Sequence, residues 1–301
     1  MNFDFDMNLY KVFYVVAKNN SFSKAAEELF VTQPSVSYSI KQLEDRLNIK
    51  LFKRNNKGIK ITPEGKEVLE YVKKSYNDIS VGERSLKENR NLNSGKISIG
   101  VQSHIGRFFL FPYLEEFHKK YPNIEINISS RNTAELIKLL ENNDIDFVID
   151  TSPIETEYSN LVIEPLMELE HCFVCSKDYP IKNNDMNVQD LKDYSLILPV
   201  KRSTPRKQLT KLLKDDRIEL KPFITIETTE MLIDAVKKNM GIGYVMRNAI
   251  EEELKGKELE EINVNIQLPR LLLNLVYIDS NLTNIPKVFM EKLKVNNVKI
   301  V

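Results

Sequence analysis

The chain has 301 residues, 42% of them hydrophobic, and its 43 lysines and arginines balance 43 aspartates and glutamates. This composition excludes a disordered or fibrous protein, and the length predicts two or three globular domains. The acidic start and the lack of an apolar run of about 18 residues argue against a signal peptide or a membrane partner, so we expect a cytoplasmic protein.

Two short helices are predicted at the start of the chain. Apolar residues at helical spacing predict a helix over 8–18 that ends at the polar pair Asn19 and Asn20. A second helix follows, which Ser21 or Ser23 can cap with a side-chain oxygen.

The third helix, Gln33–Leu47, has the pattern of a DNA recognition helix. Thr32 is expected to cap it, and Pro34 falls in the first turn, where a missing N–H costs nothing. Apolar residues share one face, and a second face carries Gln33, Ser37, Tyr38 and Lys41. Such a helix fits the major groove, where residues near its N-terminus reach the base edges.

A basic β-hairpin is predicted after this helix, with strands over 51–54 and 59–62 and a turn between them. Between Thr32 and Lys66 there are eight basic and three acidic residues, so positive charge is concentrated beside the third helix. A basic hairpin in this place is a wing. Residues 1–65 are therefore predicted to form an all-α winged helix-turn-helix domain that binds double-stranded DNA.

The run from Ser23 to Glu44, continued by 51–54 and 62–65, resembles the hallmark of the LysR-type transcriptional regulators. The resemblance implies that four residues face the bases and that Arg54 approaches the backbone or the minor groove from the wing. The four are Gln33, Pro34, Ser37 and Tyr38. Tyr38 stands where many relatives have arginine, so we expect weaker readout of guanine.

Three lysines of this region are expected to contact phosphates, which position a protein without reading sequence. They are Lys41, Lys53 and Lys57. Each of them, taken alone, is equally well explained as a solvated surface charge.

Residues 66–92 are predicted to form a linker helix that pairs two DNA-binding heads. Apolar residues recur at alternating steps of three and four, at Leu69, Val72, Tyr76, Ile79 and Leu86. A helix of this length measures roughly 40 Å, too long to be buried against a small winged domain. The alternative is a core helix of one larger domain.

Residues 93–301 alternate strand-like and helical segments, which predicts a mostly parallel α/β sheet. Several segments resemble the LysR effector domain, among them Phe117–Pro122 and Gly241–Tyr244. The resemblance implies a periplasmic-binding-protein-like fold whose two lobes enclose a ligand. We expect lobe one over 93–163 and 267–301, and lobe two over 164–266.

The effector site is expected where helix N-termini converge on the cleft, because free N–H groups and the helix dipole favour an anion. The candidates are Gln102, Ser103, His104, Thr133, Lys201, Ser203 and Thr204, with Arg206 adding positive charge nearby. A small carboxylate or inorganic oxyanion is the expected effector. The alternative is that these hydroxyl groups only cap their helices.

No cofactor, metal or catalytic motif is predicted, and an enzyme is not expected. Cys172 and Cys175 lie three apart in a predicted strand and so point to opposite faces, which argues against a redox pair. We expect a homo-oligomer, dimer or tetramer, that binds an interrupted inverted repeat, with RNA polymerase as a further partner. Two alternatives remain: an enzyme or ligand carrier tethered by a winged domain, and an architectural DNA binder.

Overall fold

A computed structural model describes residues 6–55, 58–90, 94–151, 153–154, 160–215 and 217–295. These residues form two units that divide between residues 84 and 85. The first unit contains α1 (Met7–Asn19), α2 (Phe22–Leu29), α3 (Gln33–Leu47), β1 (Phe52–Asn55), β2 (Gly58–Ile61) and the greater part of α4 (Pro63–Arg90).

The first three helices begin at side-chain caps, as the sequence predicts. Asp6, Ser21 and Thr32 accept hydrogen bonds from backbone amides of the first turns of α1, α2 and α3. Ser21, and not Ser23, therefore caps α2. Each helix ends at a residue in the left-handed conformation, namely Asn20, Phe30 and Asn48.

Part of the apolar row on α4 packs inside its own unit. This corrects the expectation that the whole row packs against a partner helix. Val72 is buried in the core of the three helices, and Leu69 and Tyr76 pack against that core. The Tyr76 hydroxyl donates to the carbonyl oxygen of Met7 over 3.0 Å. About two turns of apolar surface are enough to cover the small core, so Ile79 stays 51% exposed.

The second unit begins with a five-stranded sheet in the order β4-β3-β5-β13-β6. Its strands are β3 (Gly95–Val101), β4 (Ile124–Ser129), β5 (Phe147–Thr151), β6 (Val162–Leu169) and β13 (Leu271–Tyr277). β3 runs parallel to β4 and β5, whereas β13 is antiparallel to β5 and β6. Because β6 belongs to this sheet, the chain leaves lobe one near Glu170 and not at residue 163.

The second sheet has the order β10-β9-β11-β7-β12-β8. Its strands are β7 (His171–Ser176), β8 (Asp185–Met186), β9 (Leu196–Pro199), β10 (Ile224–Ile226), β11 (Ile242–Met246) and β12 (Leu259–Val264). β11 is parallel to β9 and antiparallel to β7. One strand in each sheet, β13 in the first and β7 in the second, is antiparallel to its neighbours. The other strands of each sheet run in one direction, so the expectation of a mostly parallel arrangement is confirmed for both lobes.

Helices cover both sheets of the second unit. They are α5 (Ser103–Ile105), which continues through a π-helical turn into α6 (Phe111–Lys120), then α7 (Thr133–Glu141), α8 (Thr204–Asp215), α9 (Thr229–Lys237), α10 (Glu251–Lys255) and α11 (Asn284–Val295). A Cβ at Gly241 would lie 2.2 Å from the Ser195 carbonyl oxygen, so the turn from α9 into β11 requires glycine. Among the described residues, no helix has the length and hydropathy to span a bilayer.

Candidate functional site

The outer face of α3 is open to solvent, while its inner face is buried. Val36, Ile40 and Leu43 lie in the core of the first unit. Gln33, Pro34, Tyr38 and Lys41 are exposed, and Ser37 is half-buried. The structure thus brings these five predicted DNA-binding residues together on one accessible helix. Tyr38, with 69% of its surface exposed, is the largest apolar side chain on that face.

Glu44 fixes the C-terminal half of α3 to the wing, and the sequence analysis did not identify it. Its carboxylate accepts hydrogen bonds from the amides of Leu51, at 2.8 Å, and Phe52, at 3.3 Å. Lys50 Nζ lies 2.7 Å from its other oxygen. Glu44 follows the buried residues Val36 and Ile40 at steps of four along α3. An acidic residue in this otherwise apolar row was the sign in the sequence that its carboxylate has a buried partner.

The wing is held to the start of α4 by Thr62. The Thr62 hydroxyl donates to the Lys50 carbonyl oxygen at 2.6 Å and accepts from the Gly65 amide at 2.9 Å. Lys53 in β1 is exposed. Lys57 and the side chain of Arg54 lie outside the described residues, so their predicted contacts remain predictions.

Phe30, in the turn between α2 and α3, is 93% exposed. Its φ of 56° is in the left-handed region, which costs an L-residue with a bulky side chain free energy. The position closes α2, because the Phe30 amide donates to carbonyl groups of its last turn. The bulk of the side chain therefore contributes little packing to this turn.

In lobe one, Gln102 and Thr133 meet around Asp150, another residue that the sequence analysis missed. β3 and β5 are parallel neighbours, so Gln102, directly after β3, lies beside the end of β5. Gln102 Nε2 donates to Asp150 Oδ1 at 2.8 Å, and the Thr151 amide donates to the same oxygen at 2.7 Å. An acidic residue at the end of the apolar strand β5 was the sign in the sequence that Asp150 belongs to a polar site.

Asp150 is fully buried. Burial raises the pKa of its carboxyl, and the Thr133 hydroxyl, the Thr151 amide and the Gln102 amide offset part of that rise. Ser103, next to Gln102, is exposed. Two of the sequence-predicted residues of lobe one, Gln102 and Thr133, thus adjoin a carboxyl group, which a purely anion-binding site would not contain.

His104 faces a different part of the domain. It lines a cavity of about 830 Å³ together with Tyr113 of α6 and with Glu230 and Lys237 of α9. Burial lowers the pKa of His104 to about 4, and the Glu230 carboxylate partly opposes that shift. The cavity lies between elements of the two lobes, and His104 is the one predicted effector residue among its lining residues.

In lobe two, Ser203 caps α8. Its hydroxyl donates to the Val200 carbonyl at 2.9 Å and accepts from the Arg206 amide at 3.4 Å. Arg206 is buried and donates to the Leu220 carbonyl, so it does not add positive charge to an open site, contrary to our expectation. Lys201 is exposed and Thr204 is half-buried.

The two cysteines have the structural environment expected of core residues. Cys172 packs in one buried cluster and Cys175 in another, on opposite faces of β7. Both are free, and burial raises the pKa of each thiol, to about 11 for Cys175. In the part of the chain that the structure describes, no group of histidine, cysteine and acidic side chains is placed to hold a metal ion.

Comparison with known proteins identifies both units. Residues 7–66 match the family model for the bacterial regulatory helix-turn-helix protein of the lysR family, and residues 90–294 match the LysR substrate binding domain. A probable RuBisCO transcriptional regulator of Trieres chinensis is 30% identical over 280 residues, which cover 90% of this chain and 91% of the relative.

Solved structures share the fold. A full-length OxyR variant from Pseudomonas aeruginosa superposes with a TM-score of 0.66 at 18% identity, over 98% of this chain and 95% of that one. The regulatory domain of CcmR from Synechocystis PCC6803, solved in complex with 2-PG, superposes with a TM-score of 0.60 at 19% identity. That match covers 69% of this chain and 99% of the CcmR domain.

Proposed function

The chain belongs to the LysR family of ligand-responsive transcriptional regulators, and from this membership we propose that it binds an interrupted inverted repeat in promoter DNA under the control of a small anionic effector. The observation that carries the proposal is the open face of α3, whose polar residues are exposed while its apolar residues form the core. Such a helix can enter the major groove without any change in the fold.

Base readout is assigned to Gln33 and Ser37, and phosphate contact to Lys41 and Lys53. A glutamine amide pairs with N6 and N7 of adenine, so Gln33→Ala should weaken binding by about 1–3 kcal/mol and relax one base position. Fluorescence anisotropy with a labelled duplex and its single-base variants measures both effects. Gln189→Ala, an exposed glutamine of the second unit, is the matched control. Equal losses on all sequences would contradict base readout by Gln33.

A homodimer or a dimer of dimers is proposed as the binding form, with α4 as the pairing helix between a DNA-binding domain at 1–65 and an effector domain at 93–301. Support comes from α4 itself, because Tyr71, Ile79 and Leu86 on it are each more than half exposed. A two-fold pair places two α3 helices on half-sites about 10 bp apart. A footprint confined to one half-site, occupied by a monomer, would contradict this arrangement.

The effector is proposed to bind between the lobes, near Gln102, Ser103 and Thr133 on lobe one and Ser203, Thr204 and Lys201 on lobe two. The N-termini of α7 and α8 carry the positive ends of their helix dipoles, which favour an anionic group. The CcmR domain bound to 2-PG supports a small-molecule effector for this fold. A thermal-shift screen tests the anion: a neutral compound that raises Tm while no anion does would contradict it.

Effector binding is proposed to change the angle between the lobes, and through it the spacing of the DNA-binding heads and the recruitment of RNA polymerase. Native mass spectrometry of gently purified protein would identify a retained ligand. Footprints with and without that ligand should then differ in length or in the pattern of hypersensitive bases. Identical footprints would favour a protein that binds DNA without an effector.

A further inference from the structure

The carboxyl group of Asp150 is buried with one of its two oxygens unpaired. Oδ1 accepts from Gln102 Nε2 and from the Thr151 amide, at 2.8 and 2.7 Å. Oδ2 is buried and makes no hydrogen bond of normal geometry among the described residues, although the Thr133 hydroxyl interacts with the carboxyl group. A buried carboxylate oxygen without a donor costs free energy, and proteins ordinarily supply a partner for such an atom.

The position of Asp150 places this unpaired oxygen beside the proposed effector site. Asp150 lies near the C-terminal end of β5, next to the residue that follows β3 and close to the start of α7. Gln102 and Thr133, which adjoin the carboxyl, are half-buried side chains. The carboxyl therefore lies directly beneath side chains that are themselves partly exposed to solvent.

The unpaired oxygen of Asp150 is a hydrogen-bond acceptor. Gln102 directs its amide nitrogen at Asp150, so the remaining polar atom of its side chain is the carbonyl oxygen, which is also an acceptor. A plain anion placed here would meet two acceptors and a negative charge. A hydroxyl or ammonium group would instead satisfy the unpaired oxygen.

We propose that Asp150 selects an effector that carries a hydrogen-bond donor, a hydroxyl or ammonium group, in addition to its anionic group. The donor pairs with Asp150 Oδ2, and the anionic group binds at the helix starts. The effector class is therefore a small hydroxy- or amino-carboxylate. This inference rests on the proposed function, because it assumes an anionic effector in the cleft.

Matched ligands test the inference on the unaltered full-length chain. The probes are short-chain carboxylates, each taken as the unsubstituted acid, the 2-hydroxy acid and the 2-amino acid, for example propionate, lactate and alanine. Thermal shift and isothermal titration should show that a substituted member binds at least roughly tenfold more tightly than its unsubstituted parent. This comparison needs no variant, so it does not depend on the folding of one.

Asp150→Asn is the matched variant. The asparagine oxygen can keep the two hydrogen bonds of Oδ1, which directs the amide nitrogen to the position of Oδ2 and turns an acceptor into a donor. The preference for the substituted acid should disappear in this variant. Asp193→Asn, an exposed aspartate of lobe two, makes the same charge change and should keep the preference.

The outcomes separate the two proposals. If unsubstituted acids bind as tightly as their substituted partners, or if Asp150→Asn keeps the preference, the role of Asp150 is wrong while an anionic effector stands. If neither an acid of the series nor an anion of the thermal-shift screen changes Tm or DNA affinity, the anionic effector itself is wrong and the inference fails with it.

Discussion

Replacing Glu44 tests how α3 and the wing are held in one arrangement. Glu44→Ala removes the acceptor of two backbone amides, those of Leu51 and Phe52. A buried amide left without a partner costs about 1–3 kcal/mol. The first of these bonds is buried and the second partly so, which gives an expected loss of roughly 2–4 kcal/mol in the free energy of unfolding of the first unit. The ion pair with Lys50 adds little, because that lysine is 68% exposed.

Urea denaturation read by hydrogen exchange of the segment 51–62 measures this loss in the full-length chain. Glu44→Gln keeps an oxygen acceptor and should lose only about 1 kcal/mol, because a neutral acceptor forms weaker hydrogen bonds than a carboxylate. Glu28→Ala, which removes an exposed ion pair with Lys18 and an exposed hydrogen bond from Asn19, is the control and should change the unfolding free energy by less than about 1 kcal/mol.

The affinity for DNA should rank the three variants in the same order as their unfolding free energies do. In Glu44→Ala the wing is no longer tied to α3, so Lys53 should lose its fixed position beside the recognition helix and affinity should fall on every sequence. An alanine variant that keeps wild-type stability and wild-type exchange at 51–62 would refute the role assigned to the Glu44 carboxylate.

Three further substitutions probe other parts of the chain. Phe30→Asn should raise the unfolding free energy by about 0.5–1 kcal/mol, because asparagine tolerates the left-handed conformation better and the phenylalanine packs little; a loss in urea denaturation would contradict this. Lys53→Ala should weaken binding to all sequences alike and reduce the salt slope measured by anisotropy by about 1; a base-specific loss would argue against phosphate contact. Burial lowers the pKa of His171 to about 4, with His104 as a smaller cause. Below pH 6.5 the unfolded chain therefore binds more protons than the native one, and stability falls between pH 6.5 and 4, by roughly 3 kcal/mol at most for this group. His171→Phe should flatten that decline in Tm, and an unchanged pH profile would count against the assignment.

Local signals in the sequence determined the architecture of the N-terminal unit. Helix caps and turn residues act on their near neighbours, so the bounds of α3 and the cap at Thr32 were predicted correctly. The two strands of the wing were predicted within one residue, because a hairpin turn fixes the register of the strands beside it. The family motif added the residues of the DNA face, and their contacts remain predictions.

The order of strands in the second unit could not be read from the sequence. Local alternation of strands and helices does not encode which strands pair, and β6 joins the first sheet through β13, more than a hundred residues later in the chain. The mixed sheets and the exit from lobe one near Glu170 are consequences of that long-range pairing.

Composition and periodicity determined that this chain has an exposed recognition helix, a long connecting helix and an α/β domain, because hydrophobic burial depends on spacing along one element. Only the tertiary structure decided what the buried polar groups do. Glu44 meets amides of β1, and Asp150 meets Gln102 of another strand end, 48 residues away in sequence. A hydrogen bond depends on the position of both partners to within a few tenths of an ångström, and only the packing of separate elements sets that position.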